Sequence, residues 1–343
     1  MKKIGILDNY ISNFHSNTYH KLFHEIAEET GREEYKITHI YAKTDKSPST
    51  NETTAEWCEK NGAISCATPQ EVCDAVDVIM ILSPNNPELH EELCEVAFDS
   101  GKLVYVDKTF APNYETAKRI IEMGKAKNAN FWSSSATRFE PAMQAFLKED
   151  APFVNSAIVQ CGLKFEIYCI HLVELMNTVM KNGAKSVICR NASVNHVFEI
   201  TFTDGRKAFL NQFTETYVDF SCCPEFDGKC QQIVCASDFW KSFATALLDY
   251  FETGKSLVPV ELEAVVYWNN GRYDLGYDLM VKDEPDSPEW ICYENLQEEV
   301  RYQVRNLERE MFQVLDRAVQ RFGLSYTQCS FPKLSGAEPR KKP

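Results

Sequence analysis

The clearest hydrophobic pattern in this chain lies between residues 77 and 141, where short apolar runs alternate with segments of helical periodicity. The apolar runs cover residues 78–82, 103–106 and 129–132. Short runs that each precede a helix-period segment are typical of parallel strands joined by crossover helices. The pattern therefore predicts an α/β arrangement with a parallel sheet.

The same alternation extends to the N-terminus but changes after a helix at residues 141–149. Before it we predict strands at 3–7, 35–42 and 65–67 and helices at 16–30, 53–61 and 69–75. After it we predict strands at 155–161, 186–189, 197–203, 208–214, 216–220 and 231–235 and helices at 167–181, 238–251 and 259–268. Asp204-Gly205 is a hairpin turn signal. We predict a parallel-sheet domain over residues 1–140 and an α+β domain with a mostly antiparallel sheet over 141–275.

Residues 276–343 form a third predicted segment. Apolar residues recur there at steps of three and four, which predicts a helix with a heptad-like seam. The seam consists of Leu296, Val300, Val304, Leu307, Met311, Val314 and Ala318. It would either pack on the body of its own chain or contact another subunit. The end, residues 335–343, is predicted to be disordered.

Charge narrows the classes of partner. The chain has 343 residues and a formal net charge of -14, so neither nucleic acid nor an anionic membrane is an expected partner. No apolar run approaches the roughly 18 residues of a spanning helix. The start, MKKIGIL, leads straight into a predicted strand without a signal peptide. We expect a cytoplasmic protein.

The thirteen cysteines are scattered, mostly among apolar neighbours, which indicates free thiols in a reducing compartment. Four of them cluster late in the chain: Cys222, Cys223, Cys230 and Cys235. This cluster lacks the paired C-x2-C spacing of a zinc ribbon and contains no histidine. No metal site is therefore expected.

The first candidate functional residues are Asp107 and Lys108, which directly follow the apolar run at 103–106. Ligands of an open parallel sheet bind outside the carboxyl ends of its strands, so this pair would lie where chemistry is done. The alternative is a solvated strand end.

The ends of the first two predicted strands indicate how well the chain could bind a dinucleotide. The first turn, DNYISNFHS, lacks the glycines that let backbone approach a pyrophosphate, so a plain βα turn is an alternative. If this turn replaces a glycine turn, Asn9, Tyr10 and Ile11 would contact the cofactor. The second strand ends at Ala42 and Lys43, and a basic residue there would tolerate a 2′-phosphate. The choice between NAD and NADP stays open.

His171 and Glu174 lie three residues apart in an apolar segment of helical periodicity. This spacing places imidazole and carboxylate on one helix face. A carboxylate that fixes the tautomer of a histidine is what a general acid or base requires. The alternative is a buried histidine of the core.

Taken together, these features resemble the Gfo/Idh/MocA oxidoreductases, the glucose–fructose oxidoreductase and inositol dehydrogenase family, over roughly residues 1–270. The segment GKLVYVDKTFAPNYETAKRII is similar to the family's G-K-x-V-x-x-E-K-P segment. IHLVELMNTVM resembles its histidine-bearing helix, and FETGKSLVPVELE its late G-K-x-x-x-P-V stretch. The resemblance implies an N-terminal Rossmann-type domain, NAD or NADP as cofactor, and a homo-oligomer, either a dimer or a tetramer.

The resemblance also assigns roles. Lys108 matches the family lysine that binds the substrate hydroxyl, and beside a cationic nicotinamide its pKa should be depressed. Asp107 replaces the family's glutamate conservatively. His171 matches the histidine that carries the proton. The aspartate that the family has four residues earlier falls on Ile167, so Glu174 is expected to orient His171 instead.

One further match concerns the turn after the fourth strand, which in the family lies against the ribose and nicotinamide. Here it consists of Ser83, Pro84 and Asn85. The implied reaction is hydride transfer between NAD(P) and a secondary alcohol of a sugar, cyclitol or related polyol. The alternative is a non-catalytic nucleotide-binding sensor or scaffold, which the missing glycines and Ile167 suggest.

Overall fold

The computed structural model describes residues 1–258 apart from 113, 149–151, 164, 182, 192–194, 214 and 257. The predicted helix at 259–268, the tail seam and the predicted disordered end lie outside the described residues. So does most of the late stretch GKSLVPVELE.

The first body is a six-stranded parallel sheet with helices on its faces. Its strands are β1 (Lys2–Asp8), β2 (Tyr35–Ala42), β3 (Ile64–Ser65), β4 (Val78–Ile81), β5 (Leu103–Val106) and β6 (Phe131–Trp132). Its helices are α1 (Phe14–Thr30), α2 (Thr54–Asn61), α3 (Pro69–Ala75), α4 (His90–Asp99) and α5 (Tyr114–Ala126). The strand order is β3-β2-β1-β4-β5-β6, so the direction of winding reverses between β1 and β4. Ligands of such sheets bind at this reversal, outside the carboxyl ends of the strands.

The second body is built on a mixed, mostly antiparallel sheet. Its elements are α6 (Pro141–Phe146), β7 (Ser156–Gly162), α7 (Phe165–Met180), β8 (Ala184–Asn191), β9 (Asn195–Phe202), β10 (Lys207–Phe213), β11 (Ser221–Phe226), β12 (Lys229–Cys230), β13 (Ile233–Val234) and α8 (Phe239–Thr253). The main strand order is β12-β11-β7-β10-β9-β8, and only β7 and β10 pair in parallel. Buried residues of α7 pack on one face of this sheet. The predicted fold class is confirmed.

The strand predicted at residues 216–220 is wrong, because this segment runs past β7 without forming a strand and β11 begins only at Ser221. The N–H of Gly162 donates to the Val218 carbonyl (3.0 Å), and the N–H of Leu163 donates to the Thr216 carbonyl (3.1 Å). A Cβ at residue 162 would overlap the Thr216 carbonyl oxygen. Residues 216–218 therefore pass over β7 at Gly162, because a glycine has no side chain and leaves room for their backbone.

Helix α8 leaves the second body and returns to the first. Its Phe243 and Tyr250 belong to the same buried cluster as Tyr19 of α1, Tyr105 of β5 and Trp132 of β6. The Tyr250 hydroxyl donates to the Asn130 carbonyl at 2.7 Å. A helix assigned by sequence to the domain at 141–275 thus completes the core of the first sheet. The three-part division of the chain stays a prediction.

No helix in the part of the chain that the structure describes is long and apolar enough to span a bilayer.

Candidate active site

A cavity of about 400 Å³ opens at the carboxyl ends of β4 and β5, between the two bodies. Pro84 and Asn85 reach it from the end of β4, and Lys108 from the end of β5. His171 of α7 lies on the opposite side. The remaining lining comes from Asn13, Phe14, His15, Ala136, Thr137, Ile167, Tyr168, Phe220, Phe239 and Trp240. The cavity therefore brings together four of the predicted site residues.

Lys108 is only 8 % exposed and lines this cavity. Among the described residues its ammonium has no hydrogen-bond partner, although its backbone N–H donates to Asp107 Oδ1 at 2.8 Å. Burial lowers the pKa of Lys108, and the neighbouring Asp107 carboxylate opposes that shift. The predicted depression of the Lys108 pKa is thus present without a cofactor, with burial as its cause.

Asp107 does not line the cavity, because both of its carboxylate oxygens face protein groups. Oδ1 accepts from the Tyr105 hydroxyl at 2.9 Å as well as from the Lys108 N–H, and Oδ2 lies 2.5 Å from Nδ1 of His15. Burial raises the pKa of Asp107, but His15, Lys108 and Tyr105 outweigh it, so the pKa is lowered overall. Asp107 therefore holds its neighbours in place.

His171 has a hydroxyl as its partner. Its Nδ1 lies 2.6 Å from the Ser135 hydroxyl, which in turn contacts the Thr137 hydroxyl at 2.7 Å. Burial holds the pKa of His171 well below its usual range, and the positive charges of Lys108 and His15 lower it further. The histidine is therefore neutral and its Nε2 is available toward the cavity.

The expectation that Glu174 orients His171 directly needs correction. Glu174 Oε1 accepts from Arg138 Nε and from the Ser134 hydroxyl, both at 2.7 Å, and from the Ser135 N–H at 3.4 Å. A guanidinium binds a buried carboxylate more strongly than a neutral imidazole does, so Arg138 takes this partner. Glu174 supports His171 only through the segment that carries Ser135.

The first turn is organised around Asp8, which is buried at the end of β1. Its Oδ1 accepts from the backbone N–H of Asn9 (2.7 Å) and Ser83 (3.0 Å), and its Oδ2 accepts from Asn13 Nδ2 (2.8 Å). The Asn13 side chain also caps α1, since its Oδ1 accepts from the N–H of His15 and Ser16. Side chains thus occupy N–H groups that a glycine turn would offer to a phosphate.

The other residues predicted to contact the cofactor lie outside the cavity lining. Asn9 Nδ2 donates to Asn86 Oδ1 at 2.8 Å and so joins the ends of β1 and β4. Ile11 is a core residue, and the Tyr10 carbonyl accepts from Asn13 at 2.8 Å. Lys43 forms an exposed ion pair with Glu92 of α4 at 2.7 Å. The hydroxyl of Ser83, the remaining residue of this group, donates to Asp8 at 3.3 Å.

These residues fit the nicotinamide end of NAD or NADP better than the pyrophosphate end. At the nicotinamide end, the buried Lys108 ammonium, which has no hydrogen-bond partner within the described ranges, and the neutral His171 imidazole share one cavity with the turn that contains Pro84 and Asn85. At the other end, the turn has no glycine and Asn13 already occupies helix N–H groups. Pro84 and Asn85 are the residues that would hold the nicotinamide half.

The cysteine cluster shows no arrangement for a metal. Cys222 and Cys235 are buried free thiols, and burial raises the pKa of Cys235 to about 12. Within the described ranges, no group of three or more His, Cys, Asp or Glu side chains could hold a metal ion.

Sequence reasoning missed four residues of this site: Asp8, His15, Ser135 and Arg138. Asp8 and His15 lie in DNYISNFHS, which was considered only for its lack of glycines. An acidic residue at the end of β1 could have pointed to Asp8. Ser135 and Arg138 lie in SSSATRFEP, a segment to which no role was assigned from the sequence. No local pattern pairs them with α7.

Comparison with known proteins identifies the first body. Residues 9–134 match the family described as "Oxidoreductase family, NAD-binding Rossmann fold". An uncharacterized oxidoreductase of Schizosaccharomyces pombe is 26% identical over 102 residues. That match covers 29% of this chain, and the chain spans only 27% of the length of that relative.

Solved structures share the fold across both bodies. A probable dehydrogenase from Thermotoga maritima has a TM-score of 0.60 at 13% identity and covers 76% of this chain and 92% of its own. A putative myo-inositol dehydrogenase from Sinorhizobium meliloti 1021 has a TM-score of 0.60 at 12% identity, with coverages of 78% and 96%. Biliverdin reductase from Synechocystis, in complex with biliverdin and NADP+, has a TM-score of 0.55 at 15% identity, with coverages of 76% and 94%.

These findings confirm the predicted resemblance and the predicted cofactor class, NAD or NADP. Residues 9–134 are similar to the NAD-binding Rossmann fold of the Gfo/Idh/MocA oxidoreductases, and beyond them the solved structures share the fold.

Proposed function

We propose that this chain is an NAD(P)-dependent oxidoreductase that transfers a hydride between the nicotinamide and a secondary alcohol of a sugar, cyclitol or related polyol. The observation that supports it most is the pairing of Lys108 and His171 across one cavity at the carboxyl ends of β4 and β5. Both groups are buried, and both have pKa values below their usual range. Buried, pKa-shifted groups in a cleft are typical of functional sites.

The two groups have complementary roles in the proposed reaction. The Lys108 ammonium donates a hydrogen bond to the oxygen of the alcohol and orients it. His171, neutral and held at Nδ1 by Ser135, accepts the hydroxyl proton at Nε2. The cofactor, when bound, accepts the hydride. On reduction of the carbonyl, the same two groups stabilise the oxygen and return the proton.

The test is turnover on a panel of sugars, cyclitols and related polyols with NAD+ and NADP+. We expect Lys108→Ala and His171→Asn each to lower kcat by about 10²- to 10⁴-fold, the range of a lost acid–base group. The matched control is Lys118→Ala, an exposed lysine of α5 whose side chain is 55% accessible. Unchanged turnover in Lys108→Ala would remove the centre of the proposal.

A second candidate function is a nucleotide-binding sensor or scaffold without turnover. The occupied N–H groups of the first turn favour it, because they weaken the site for a pyrophosphate. Calorimetric titration with NAD(H) and NADP(H) separates the two candidates. Binding without turnover on the whole panel would support the sensor, whereas binding with turnover would exclude it.

A further inference from the structure

A second histidine shares the cavity with His171 and has a carboxylate behind it. His15 lies in the first turn of α1, and its Nδ1 is 2.5 Å from Oδ2 of Asp107 at the end of β5. The two side chains are 9% and 1% exposed. A histidine backed by a buried carboxylate is the arrangement that fixes a tautomer for proton transfer.

Both members of this pair are fixed by other groups. Asp107 Oδ1 is held by the Tyr105 hydroxyl and the Lys108 N–H, so the carboxylate cannot turn away. The His15 ring packs edge to face on Trp240 with centroids 5.1 Å apart. Nδ1 lies at ion-pair distance from Asp107 Oδ2, outside ideal hydrogen-bond geometry, and in the described part of the chain no group hydrogen-bonds to Nε2.

His171 alone is a weak proton acceptor in this cavity. Its protonated form is disfavoured by burial and by the positive charges of Lys108 and His15. His15 differs in one respect, because the Asp107 carboxylate compensates a positive charge on its ring.

We propose that His15, oriented by Asp107, is a second proton-transfer residue of this cavity. This inference rests on the proposed function. Oxidation of the alcohol breaks the C–H bond with loss of both electrons as hydride, forms the C=O double bond and releases the hydroxyl proton. That proton passes from the oxygen through His171 to Nε2 of His15, and it returns along the same path on reduction.

The kinetic test compares His15→Asn with His24→Asn, a control on the same helix whose side chain is 62% exposed. For His15→Asn we expect kcat to fall by roughly 10²-fold, with loss of one limb of the pH profile, while the KM values change little. Asp107→Asn should reproduce the altered pH profile. A kcat equal to that of the wild type, or a loss confined to cofactor affinity, would overturn the proposal.

A second measurement needs neither cofactor nor turnover. Nitrogen-15 spectra of the histidines in the cofactor-free protein should show a proton on Nδ1 of His15, and that resonance should shift in Asp107→Asn. A neutral His15 protonated only at Nε2 would overturn the proposal even if Asp107→Asn fails to fold.

The two proposals fail in different ways. A wild-type protein that oxidises nothing on the panel overturns the proposed function and the role of His15 with it. A wild-type protein that turns over and is matched by His15→Asn overturns only the role of His15.

Discussion

At the scale of single residues, the buried pair of Glu174 and Arg138 makes a prediction about stability. Replacement of Glu174 by Gln leaves the Arg138 guanidinium without a countercharge in the interior. Loss of one partner of a buried ion pair costs about 3 to 5 kcal/mol. We therefore expect the free energy of unfolding in urea to fall by about 3 kcal/mol. The control is Glu29→Gln, which removes an exposed pair with Lys241 and should cost less than about 1 kcal/mol.

Asp8 makes a prediction about pH. Burial raises its pKa to about 7, against the hydrogen bonds from Asn13, Asn9 and Ser83 that lower it. In the unfolded chain an aspartate has a pKa of about 4, so between about pH 4 and about pH 7 the folded state binds the extra proton. The stability contributed by this group therefore falls as pH rises through that window and is constant above it.

The measurement compares the free energy of unfolding of the wild type with that of Asp8→Asn. Between about pH 5 and about pH 8, the wild type should lose about 2.6 kcal/mol more than the variant, at about 1.4 kcal/mol per pH unit up to about pH 7. Parallel pH curves for the two proteins would contradict the prediction.

Sequence reasoning placed in the cavity those site residues whose location in the fold follows from their position in the sequence, such as at the end of a strand. Lys108 follows a buried strand, and the end of a parallel strand has only one place in the sheet. Glu174 shows the limit: helical spacing predicts a shared face with His171, but Arg138 and Ser134, 36 and 40 residues away, determine what it binds. The pairing of His15 with Asp107 likewise depends on tertiary contact.

At the scale of elements, Gly162 makes a third prediction. It ends β7 where residues 216–218 cross, and a methyl group there would overlap backbone atoms that cannot rotate away. We expect Gly162→Ala to lower the free energy of unfolding by more than about 3 kcal/mol, at the upper end of overpacking costs. The control is Ala236→Gly, which removes a methyl group from an exposed position. An equally small loss in both variants would show that the segment can move aside.

The helices and strands of the first body that were bounded from sequence lie within two residues of their predicted ends, since their caps are local. Helices α4 and α5 were predicted without bounds. Gly31 and Gly254 end α1 and α8 in the left-handed region, which glycine adopts without strain.

The second sheet was harder to predict. The apolar and β-branched residues at 216–220 are compatible with a strand. The backbone of that segment instead makes scattered contacts, because the carbonyls of Thr216 and Val218 accept at the end of β7 while that of Phe220 accepts from Cys235.

At the scale of the whole molecule, α8 makes a fourth prediction. It covers Tyr19, Tyr105 and Trp132 with Phe243 and Tyr250. A fragment of residues 1–140 lacks this helix and leaves those aromatic rings exposed. We expect the fragment to bind a hydrophobic dye and to lack the near-ultraviolet circular dichroism of a packed core.

The matched control for the fragment is the full chain with Phe243→Ala. It keeps the covering helix but loses one large side chain, at a cost of about 3 to 5 kcal/mol. It should therefore unfold earlier but retain native spectra. A fragment with native near-ultraviolet spectra would show that the first 140 residues are complete without α8.

The return of α8 to the first sheet also has a consequence for biosynthesis. A ribosome makes the whole of the first sheet before it makes residues 239–253, so one apolar face of that sheet leaves the exit tunnel without its cover. Exposed apolar surface of this kind is prone to aggregation. The apolar face of the first sheet stays exposed until α8 has emerged. The first sheet is therefore complete only after Thr253 has been translated.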